Sequence, residues 1–160
     1  MALNIGDRAP DFKSAQSTGE KQGEFQLSAQ KGKNVVLVFY PGDFTSVCSN
    51  ELAAIQQKLA KFNGANAEVV GLSTDTVFSH AAFQKELGGL AFPLVTDRWP
   101  YADIAKSYGV FPPTKHKLPF WNDRAIFVVD KNGNIAWQKV YEISQSPDID
   151  EVLAALAKLS

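Results

Sequence analysis

The chain has 160 residues, a hydrophobic fraction of 45% and a net charge of −1. This length and apolar content are typical of one compact domain, and we expect residues 1–160 to form it. The near-neutral charge argues against nucleic acid as a partner, and no apolar run is long enough to cross a membrane. A single cysteine cannot form an internal disulfide, so the composition favours a cytoplasmic protein.

The first half of the chain predicts a hairpin, a buried strand and a helix. Residues 1–33 carry short apolar pieces among polar residues, which indicates an N-terminal β-hairpin and a connection. The run NVVLVFY (34–40) is continuously apolar and predicts a strand buried on both faces. Apolar residues then recur at steps of four and three, which predicts one helical face: Cys48, Leu52, Ile55, Leu59 and Phe62. Thr45 or Ser46 can cap the start of this helix, and Gly64 can end it.

The middle of the chain alternates between strands and helices. Strands are predicted at 67–73 and 91–97, and helices at 76–89 and 101–109. The proline within AFPLVTD (91–97) predicts an edge position for that strand, because proline cannot donate a backbone hydrogen bond.

The last third predicts a loop, a hairpin and a final helix. Residues 110–123 are rich in proline and show no periodicity, which predicts a loop. RAIFVVD (124–130) and NIAWQKVYE (134–142) predict two strands, and the KNG between them indicates a hairpin. Helical spacing returns at 149–156. The sequence therefore predicts an α/β fold with a central mixed β-sheet flanked by helices.

Cys48 can be interpreted in two ways. Its place on the apolar face of the helix favours a packing role, because free cysteines are commonly buried. Its place in the first helical turn, just after a central strand, favours chemistry, because α/β proteins bind ligands there. Unpaired backbone N–H groups and the helix dipole stabilise an anion at that point, and a thiolate is such an anion.

The helix terminus alone is too weak to ionise the thiol. Making a free thiol about nine-tenths ionised at neutral pH requires on the order of 3 kcal/mol. A helix terminus contributes about 2 kcal/mol at best. Arg124 opens the strand 124–130, and if this strand runs antiparallel to 34–40, its guanidinium lies near Cys48. A solvent-exposed charge at a strand end explains Arg124 equally well from the sequence.

The segment PGDFTSVC resembles the Pro-x-x-x-Thr-x-x-Cys motif of peroxiredoxins, with Pro41, Thr45 and Cys48 at the matching positions. DRAIFVVDKNG (123–133) is similar to the later arginine-containing strand and hairpin of that family, and APDF and LGGLAFPLVTD are similar to other family segments. The resemblance runs in order through nearly the whole chain. Within the family, DRWPYADIAKSYGVF is most similar to the one-cysteine alkyl hydroperoxide reductase E type.

The resemblance implies a thioredoxin-like fold and a thiol-dependent peroxidase that reduces hydrogen peroxide or organic hydroperoxides without a cofactor or metal. Cys48 would be the peroxidatic nucleophile and would become a sulfenic acid. Thr45 would hydrogen-bond the peroxide, and Pro41 would shield the thiolate from water. Arg124 would hold both thiolate and peroxide, and Glu51 resembles an acidic residue that positions the arginine.

The chain differs from better-known family members in having no second, resolving cysteine. The resemblance therefore implies an external thiol donor, either a small thiol or a thioredoxin-like or glutaredoxin-like protein. LGGLA matches the Gly-Gly-Leu-Gly motif of oxidation-sensitive members only in part, and the loop 112–121 has no assignable counterpart. Family habit implies a homodimer, which a group of aromatic residues could anchor unless they complete the core: Trp99, Tyr101, Phe111, Phe120 and Trp121.

Other functions agree less well with the sequence. A dithiol reductase requires Cys-x-x-Cys, and no partner thiol is present. A cysteine hydrolase requires a histidine beside the thiol, whereas His80 and His116 are interpreted as surface or half-buried residues. A peroxide sensor or chaperone-like redox protein is the alternative, and turnover with peroxide and a thiol would distinguish an enzyme from it.

Overall fold

The computed structural model describes residues 3–159, and within that range seven strands form one mixed sheet. The strands are β1 (Lys13–Ser17), β2 (Gln22–Gln26), β3 (Asn34–Phe39), β4 (Ala67–Ser73), β5 (Leu94–Thr96), β6 (Arg124–Val129) and β7 (Ile135–Tyr141). The helices are α1 (Ser46–Gln57), α2 (Leu59–Gly64), α3 (Val77–Glu86), α4 (Asp103–Ser107) and α5 (Ile149–Ala157), with a short 3-10 helix at Leu27–Gln30.

The strand order across the sheet is β2-β1-β5-β4-β3-β6-β7. Strands β3, β4 and β5 run parallel to one another, whereas β6 pairs antiparallel with β3 and β7. Strands β1 and β2 form the antiparallel hairpin at the N-terminal end of the chain. The predicted α/β class, mixed sheet and N-terminal hairpin are confirmed.

The predicted edge position of the strand containing Pro93 is wrong. Strand β5 lies inside the sheet, paired with β4 on one side and with β1 on the other. Pro93 stands just before this strand, and its carbonyl accepts a hydrogen bond from the Gly71 N–H at 3.0 Å. The proline therefore joins the ladder through the one backbone group that it can offer.

The long helix predicted after β3 is divided in two at Lys58, which leaves the helical conformation at φ −108° and ψ 12°. The apolar face persists across the break, because Ile55 and Phe62 are both buried. Gly64 is the last residue of α2, but the left-handed residue that follows is Asn66, with φ 54°. Asparagine tolerates this conformation, and the Asn66 side chain donates to the Gly32 carbonyl at 3.0 Å.

Helices cover both faces of the sheet. Alternate residues of β3 point to opposite sides, so Val36 and Val38 join one apolar cluster while Leu37 and Phe39 join the other. Helices α1, α2, α3 and α5 contribute to the first cluster, and α4 contributes to the second. Every residue of β3 is buried, as the sequence predicts.

The topology brings the end of β3 and the start of β6 to the same edge of the sheet. Phe39 pairs with Ala125 in the antiparallel ladder, so Arg124 stands beside the residue that follows β3. The chain then turns and enters α1 at Ser46. Within residues 3–159, none of the helices has the length and apolar content that crossing a membrane requires.

Candidate active site

Cys48 lies in the first turn of α1 and is fully buried. Thr45 is the N-cap residue with an extended backbone, and the first intrahelical bond runs from the Ser49 N–H to the Thr45 carbonyl at 2.9 Å. The Cys48 side chain is 0% exposed and belongs to the apolar cluster beneath α1. The thiol therefore occupies a packed position and the positive end of a helix dipole at the same time.

Thr45 occupies the predicted capping position without capping the helix through its side chain. Its hydroxyl donates to the Gly42 carbonyl at 3.0 Å, across the loop between β3 and α1. A hydroxyl that donates its only proton still offers lone pairs to another donor. Thr45 can thus accept a hydrogen bond near the start of α1.

Arg124 is buried against Cys48, so the interpretation of this residue as a solvent-exposed charge is wrong. Its Nη1 donates to Cys48 Sγ at 3.3 Å and to Glu51 Oε1 at 2.7 Å. Its Nε and Nη2 both donate to the carbonyl of Ile143, at 3.2 and 2.9 Å. The guanidinium is held by β6, α1 and the segment after β7, with 2% of its surface exposed.

Glu51 lies three residues after Cys48 on α1 and is fully buried. Among the described residues, none donates a hydrogen bond to its second carboxylate oxygen, Oε2. Burial raises the pKa of Glu51 to about 7, and the charge and hydrogen bond of Arg124 oppose that rise. The Glu51 carboxyl group therefore changes its charge near neutral pH, directly beside Arg124.

The predicted site residues are brought to one end of the sheet. Pro41 is buried in the loop between β3 and α1, which also carries Thr45. The Arg124 guanidinium contacts both Cys48 and Glu51. The catalytic roles assigned to these residues stay predictions, and the Ile143 carbonyl is a structural partner that no sequence pattern indicates.

A polar network that no sequence pattern indicates lies behind the loop between β3 and α1. His80 is fully buried rather than at the surface, and its Nδ1 lies 2.8 Å from Asp43 Oδ2. The Tyr40 hydroxyl donates to Asp43 Oδ1 at 2.6 Å, and the Asp43 N–H donates to Asp75 Oδ2 at 2.8 Å. Asp43 lies within the motif segment at a position that the motif leaves unspecified, and nothing in the helical spacing of His80 indicates that the two side chains meet.

The loop of residues 110–123 folds onto its own end. The backbone N–H groups of Thr114 and Lys115 donate to the Asp123 carboxylate at 3.0 Å. The Trp121 indole lies beside Gly42, so close that a Cβ built on that glycine would stand 3.6 Å from Trp121 Nε1. The loop therefore borders the segment that carries Thr45.

The aromatic residues around this loop divide between the core and the surface. Phe111 packs against the second apolar cluster and meets the Tyr101 ring at a centroid distance of 5.8 Å. Trp99 and Phe120 are 93% and 53% exposed. Phe111 thus completes the core, as one interpretation predicts, whereas the homodimer interface stays a prediction.

Known proteins with similar sequences are peroxiredoxins. A family model described as the AhpC/TSA family matches residues 5–138. A chloroplastic 2-cysteine peroxiredoxin of Chattonella marina var. antiqua is 36% identical over 163 residues, which cover 98% of this chain and 80% of the relative. Peroxiredoxin tpx1 of Schizosaccharomyces pombe is 36% identical over 162 residues, covering 98% of this chain and 81% of the relative.

Solved structures give the same result and confirm the thioredoxin-like fold. The reduced 2-Cys peroxiredoxin of Plasmodium vivax superposes with a TM-score of 0.86 at 30% identity, covering 97% of this chain and 81% of that one. Mycobacterium tuberculosis AhpC superposes with a TM-score of 0.86 at 27% identity, covering 99% and 94%. With the family match extending over most of its length, the chain belongs to the AhpC/TSA family, that of the peroxiredoxins.

Proposed function

We propose that this peroxiredoxin, a thiol peroxidase, works by a one-cysteine mechanism in which Cys48 is the nucleophile and an external thiol recycles it. The observation that carries the proposal is the 3.3 Å contact between Arg124 Nη1 and Cys48 Sγ at the start of α1. The relatives named above include 2-cysteine enzymes, whereas this chain holds a single cysteine. The proposed difference from these relatives therefore lies in the recycling step.

The proposed ionisation of Cys48 depends on Arg124. A charge pair about 4 Å apart contributes about 4 kcal/mol at an effective dielectric of 20. The helix terminus leaves at least about 1 kcal/mol of the estimated 3 kcal/mol to be supplied, and the pair with Arg124 also has to offset the cost of burying the thiolate. Ionised Glu51 competes with the thiolate for the same guanidinium, which weakens the pair.

In the first half-reaction, the thiolate attacks one peroxide oxygen. A sulfur–oxygen bond forms, the oxygen–oxygen bond breaks, and the departing oxygen takes up a proton from solvent and leaves as water or alcohol. Cys48 becomes a sulfenic acid. Arg124 and the first-turn N–H groups of α1 are donors suited to the charge that develops on the departing oxygen.

Thr45 and Pro41 complete the proposed peroxide site. Because the Thr45 hydroxyl donates to the Gly42 carbonyl, its lone pairs are available to accept the peroxide O–H. Pro41 has no backbone N–H and is buried in the same loop, which supports its role in excluding water from the thiolate.

In the second half-reaction, an external thiol attacks the sulfenic sulfur and releases water. This leaves a mixed disulfide at Cys48. A second thiol then displaces Cys48 as a thiolate and leaves with the first as an external disulfide. Such a cycle requires a reducing compartment, and the cytoplasm supplies one.

Peroxide consumption with several thiol donors tests the function. We expect turnover of hydrogen peroxide or an organic hydroperoxide only when a small thiol, thioredoxin or glutaredoxin is added. Cys48→Ser should abolish turnover while the far-ultraviolet circular dichroism stays that of the parent. Turnover in the Cys48→Ser variant would contradict the proposal.

Mass spectrometry after one equivalent of peroxide tests the recycling step. We expect a sulfenic acid at Cys48 that a dione reagent traps, and a sulfinic acid when peroxide is in excess without reductant. A dimer linked through two Cys48 residues as the main oxidised product would instead show that the second thiol comes from another copy of the chain.

A further inference from the structure

The Asp43 carboxylate connects the loop between β3 and α1 to helix α3. Its Oδ1 accepts the Tyr40 hydroxyl at 2.6 Å. Its Oδ2 accepts the Ser79 hydroxyl at 2.8 Å and faces His80 Nδ1 at 2.8 Å. Ser79 and His80 belong to α3, so the loop is attached to that helix through one side chain.

The hydrogen-bond partners of His80 require a proton on each ring nitrogen. Its Nε2 lies 3.1 Å from the Val95 carbonyl, which can only accept, so Nε2 carries a hydrogen. Its Nδ1 faces Asp43 Oδ2, and two acceptors cannot meet at 2.8 Å without a proton between them. Because Tyr40 and Ser79 already donate to Asp43, the carboxylate is stabilised as the anion and the proton lies on His80 Nδ1.

His116, the second of the two histidines in the chain, shows the opposite arrangement. Its Nδ1 accepts the Leu118 backbone N–H at 3.1 Å, so that nitrogen carries no proton. Its Nε2 lies 3.2 Å from the Asn122 carbonyl and therefore carries one. The geometry thus makes His116 a neutral imidazole and His80 an imidazolium paired with Asp43.

The loop that Asp43 anchors needs such support. Phe44 has φ 63°, a left-handed conformation that a bulky side chain rarely adopts and that persists only when its surroundings hold it. The Asp43 N–H donates to Asp75 Oδ2 at 2.8 Å, and the Ser73 hydroxyl donates to the same oxygen at 2.6 Å. Thr45, which follows Phe44, is the residue proposed to accept a hydrogen bond from the peroxide.

We propose that the ion pair of Asp43 and His80 positions the loop from Pro41 to Thr45 for peroxide reduction. Both are positioning residues, since they act on the reaction through the backbone that carries Thr45 rather than by touching the peroxide. Without the proton on Nδ1, a lone pair would face a carboxylate at 2.8 Å and push the loop away from α3. This inference rests on the proposed peroxidase function.

Nitrogen NMR of the parent protein tests the ion pair without any activity measurement. With ¹⁵N-histidine labelling at neutral pH, we expect one imidazolium spectrum from His80 and one neutral spectrum, protonated at Nε2, from His116. A His116→Asn variant assigns the two signals. A neutral imidazole spectrum for His80 would overturn the proposal.

Two rates measured on Asp43→Asn test the positioning role. We expect the second-order rate of Cys48 oxidation by peroxide to fall about ten- to hundredfold, as misplaced reacting groups do. Alkylation of Cys48 by iodoacetamide does not depend on how the loop positions Thr45, so the alkylation rate of Asp43→Asn should stay within roughly threefold of the parent rate. The His80 spectrum should change to that of a neutral imidazole.

The controls separate this inference from the proposed function. His116→Asn should leave both rates unchanged, and Ser79→Ala, which removes a single donor to Asp43, should reduce only the peroxide rate and by less than Asp43→Asn does. A parent protein without peroxidase turnover would refute the proposed function. An active parent whose Asp43→Asn and Ser79→Ala variants keep the parent peroxide rate, or lose both rates in parallel, would refute the positioning role.

Discussion

Arg124 can balance one negative charge, and the Cys48 thiolate and the Glu51 carboxylate compete for its guanidinium. Cys48 and Glu51 both contact its Nη1, at 3.3 and 2.7 Å. When both are ionised, the buried site carries a net charge of about −1, which is costly away from water. Because the pKa of Glu51 is raised to about 7, this carboxyl group is readily protonated near neutral pH and then no longer competes with a Cys48 thiolate for Arg124.

Replacing Arg124 should reduce both thiolate formation and peroxide reactivity. We expect Arg124→Ala to lower the ultraviolet thiolate absorbance at neutral pH and to slow oxidation by peroxide about a hundredfold or more, equivalent to about 3 kcal/mol. Arg124→Lys keeps the charge but loses the planar fork that reaches the Ile143 carbonyl, so its effect should be intermediate. Stopped-flow oxidation and absorbance measure the two quantities.

Arg98→Ala is the matched control for that experiment. Arg98 is exposed, and within residues 3–159 its side chain makes one long hydrogen bond, from Nη1 to the Thr74 carbonyl at 3.4 Å. Its replacement should change neither quantity. Parent-like thiolate absorbance and oxidation rate in Arg124→Ala would show that the guanidinium has only a structural role.

Glu51 should make the folded state less stable as the pH rises towards neutrality. Its pKa is about 7 in the folded protein and ordinarily 4.5, so the folded state binds the proton more tightly than the unfolded state does. The contribution of proton binding by Glu51 to the free energy of unfolding is complete below about pH 4.5 and is lost as the pH rises through about 7. We therefore expect the stability of the parent, relative to Glu51→Gln, to fall by up to about 3 kcal/mol across this range.

Urea unfolding of both proteins at a series of pH values measures this difference. The comparison cancels the contributions of other titrating groups, among them Asp97, whose pKa burial raises to about 6. A difference between parent and Glu51→Gln that stays constant with pH, or that grows in favour of the parent, would contradict the raised pKa of Glu51.

At the scale of the elements, Gly71 shows why the central strands fit together. It lies in β4, pairs with Val38 of β3 and Leu94 of β5, and carries no side chain. A Cβ built there would stand 2.5 Å from Leu94 Cδ2 and 3.3 Å from Tyr40 Cε1. The glycine therefore makes room for Tyr40, whose hydroxyl anchors Asp43.

Gly71→Ala should destabilise the fold by about 1–3 kcal/mol, because the added methyl group would overlap Leu94, which is 0% exposed in the packed core. The shift should also reach Tyr40 and lower the peroxide rate. Gly23→Ala in the exposed hairpin strand β2 is the matched control, since its nearest neighbour is Gln16 Nε2 at 3.9 Å. Equal stability of the two variants in thermal unfolding would refute this close packing.

At the scale of the whole molecule, exposed aromatic residues lie at the end of the sheet that holds the site. Trp99 follows β5 and Phe120 precedes β6, and the β5 end and the β6 start face the same edge as the end of β3. The Tyr101 hydroxyl donates to the Phe120 carbonyl, which connects the two segments. We propose that this surface forms the interface of a homodimer, since aromatic residues anchor such contacts.

Sedimentation tests the dimer. We expect a species of twice the chain mass at micromolar concentration, and we expect Trp99→Ser to weaken association about tenfold or more, as loss of a central aromatic anchor does. Ile5→Ser is the control, because Ile5 is 63% exposed and its neighbour Gly6 binds the Ile135 carbonyl at the opposite end of the sheet. A monomer throughout this concentration range would refute the proposed dimer and leave Trp99 as an ordinary surface residue.

The sequence predicts the candidate site as far as its motif extends. Pro41, Thr45 and Cys48 are close in the chain, so a local pattern is sufficient to place them together. Arg124 lies 76 residues from Cys48, and its position follows from the sequence only if two strands are assumed to pair antiparallel. The buried position of His80 is not predictable locally, because its partner Asp43 is 37 residues away and no sequence pattern indicates their contact.

The sequence by itself determined the elements and the class of the fold, because apolar periodicity and turn residues act over a few neighbours along the chain. Only the tertiary structure decided which elements are adjacent. It placed β5 inside the sheet, where β1 closes its free edge, and it buried Arg124 between Cys48 and Glu51. Strand order and buried charges depend on contacts between distant residues, whose energies are set by burial and by the partners that folding brings together.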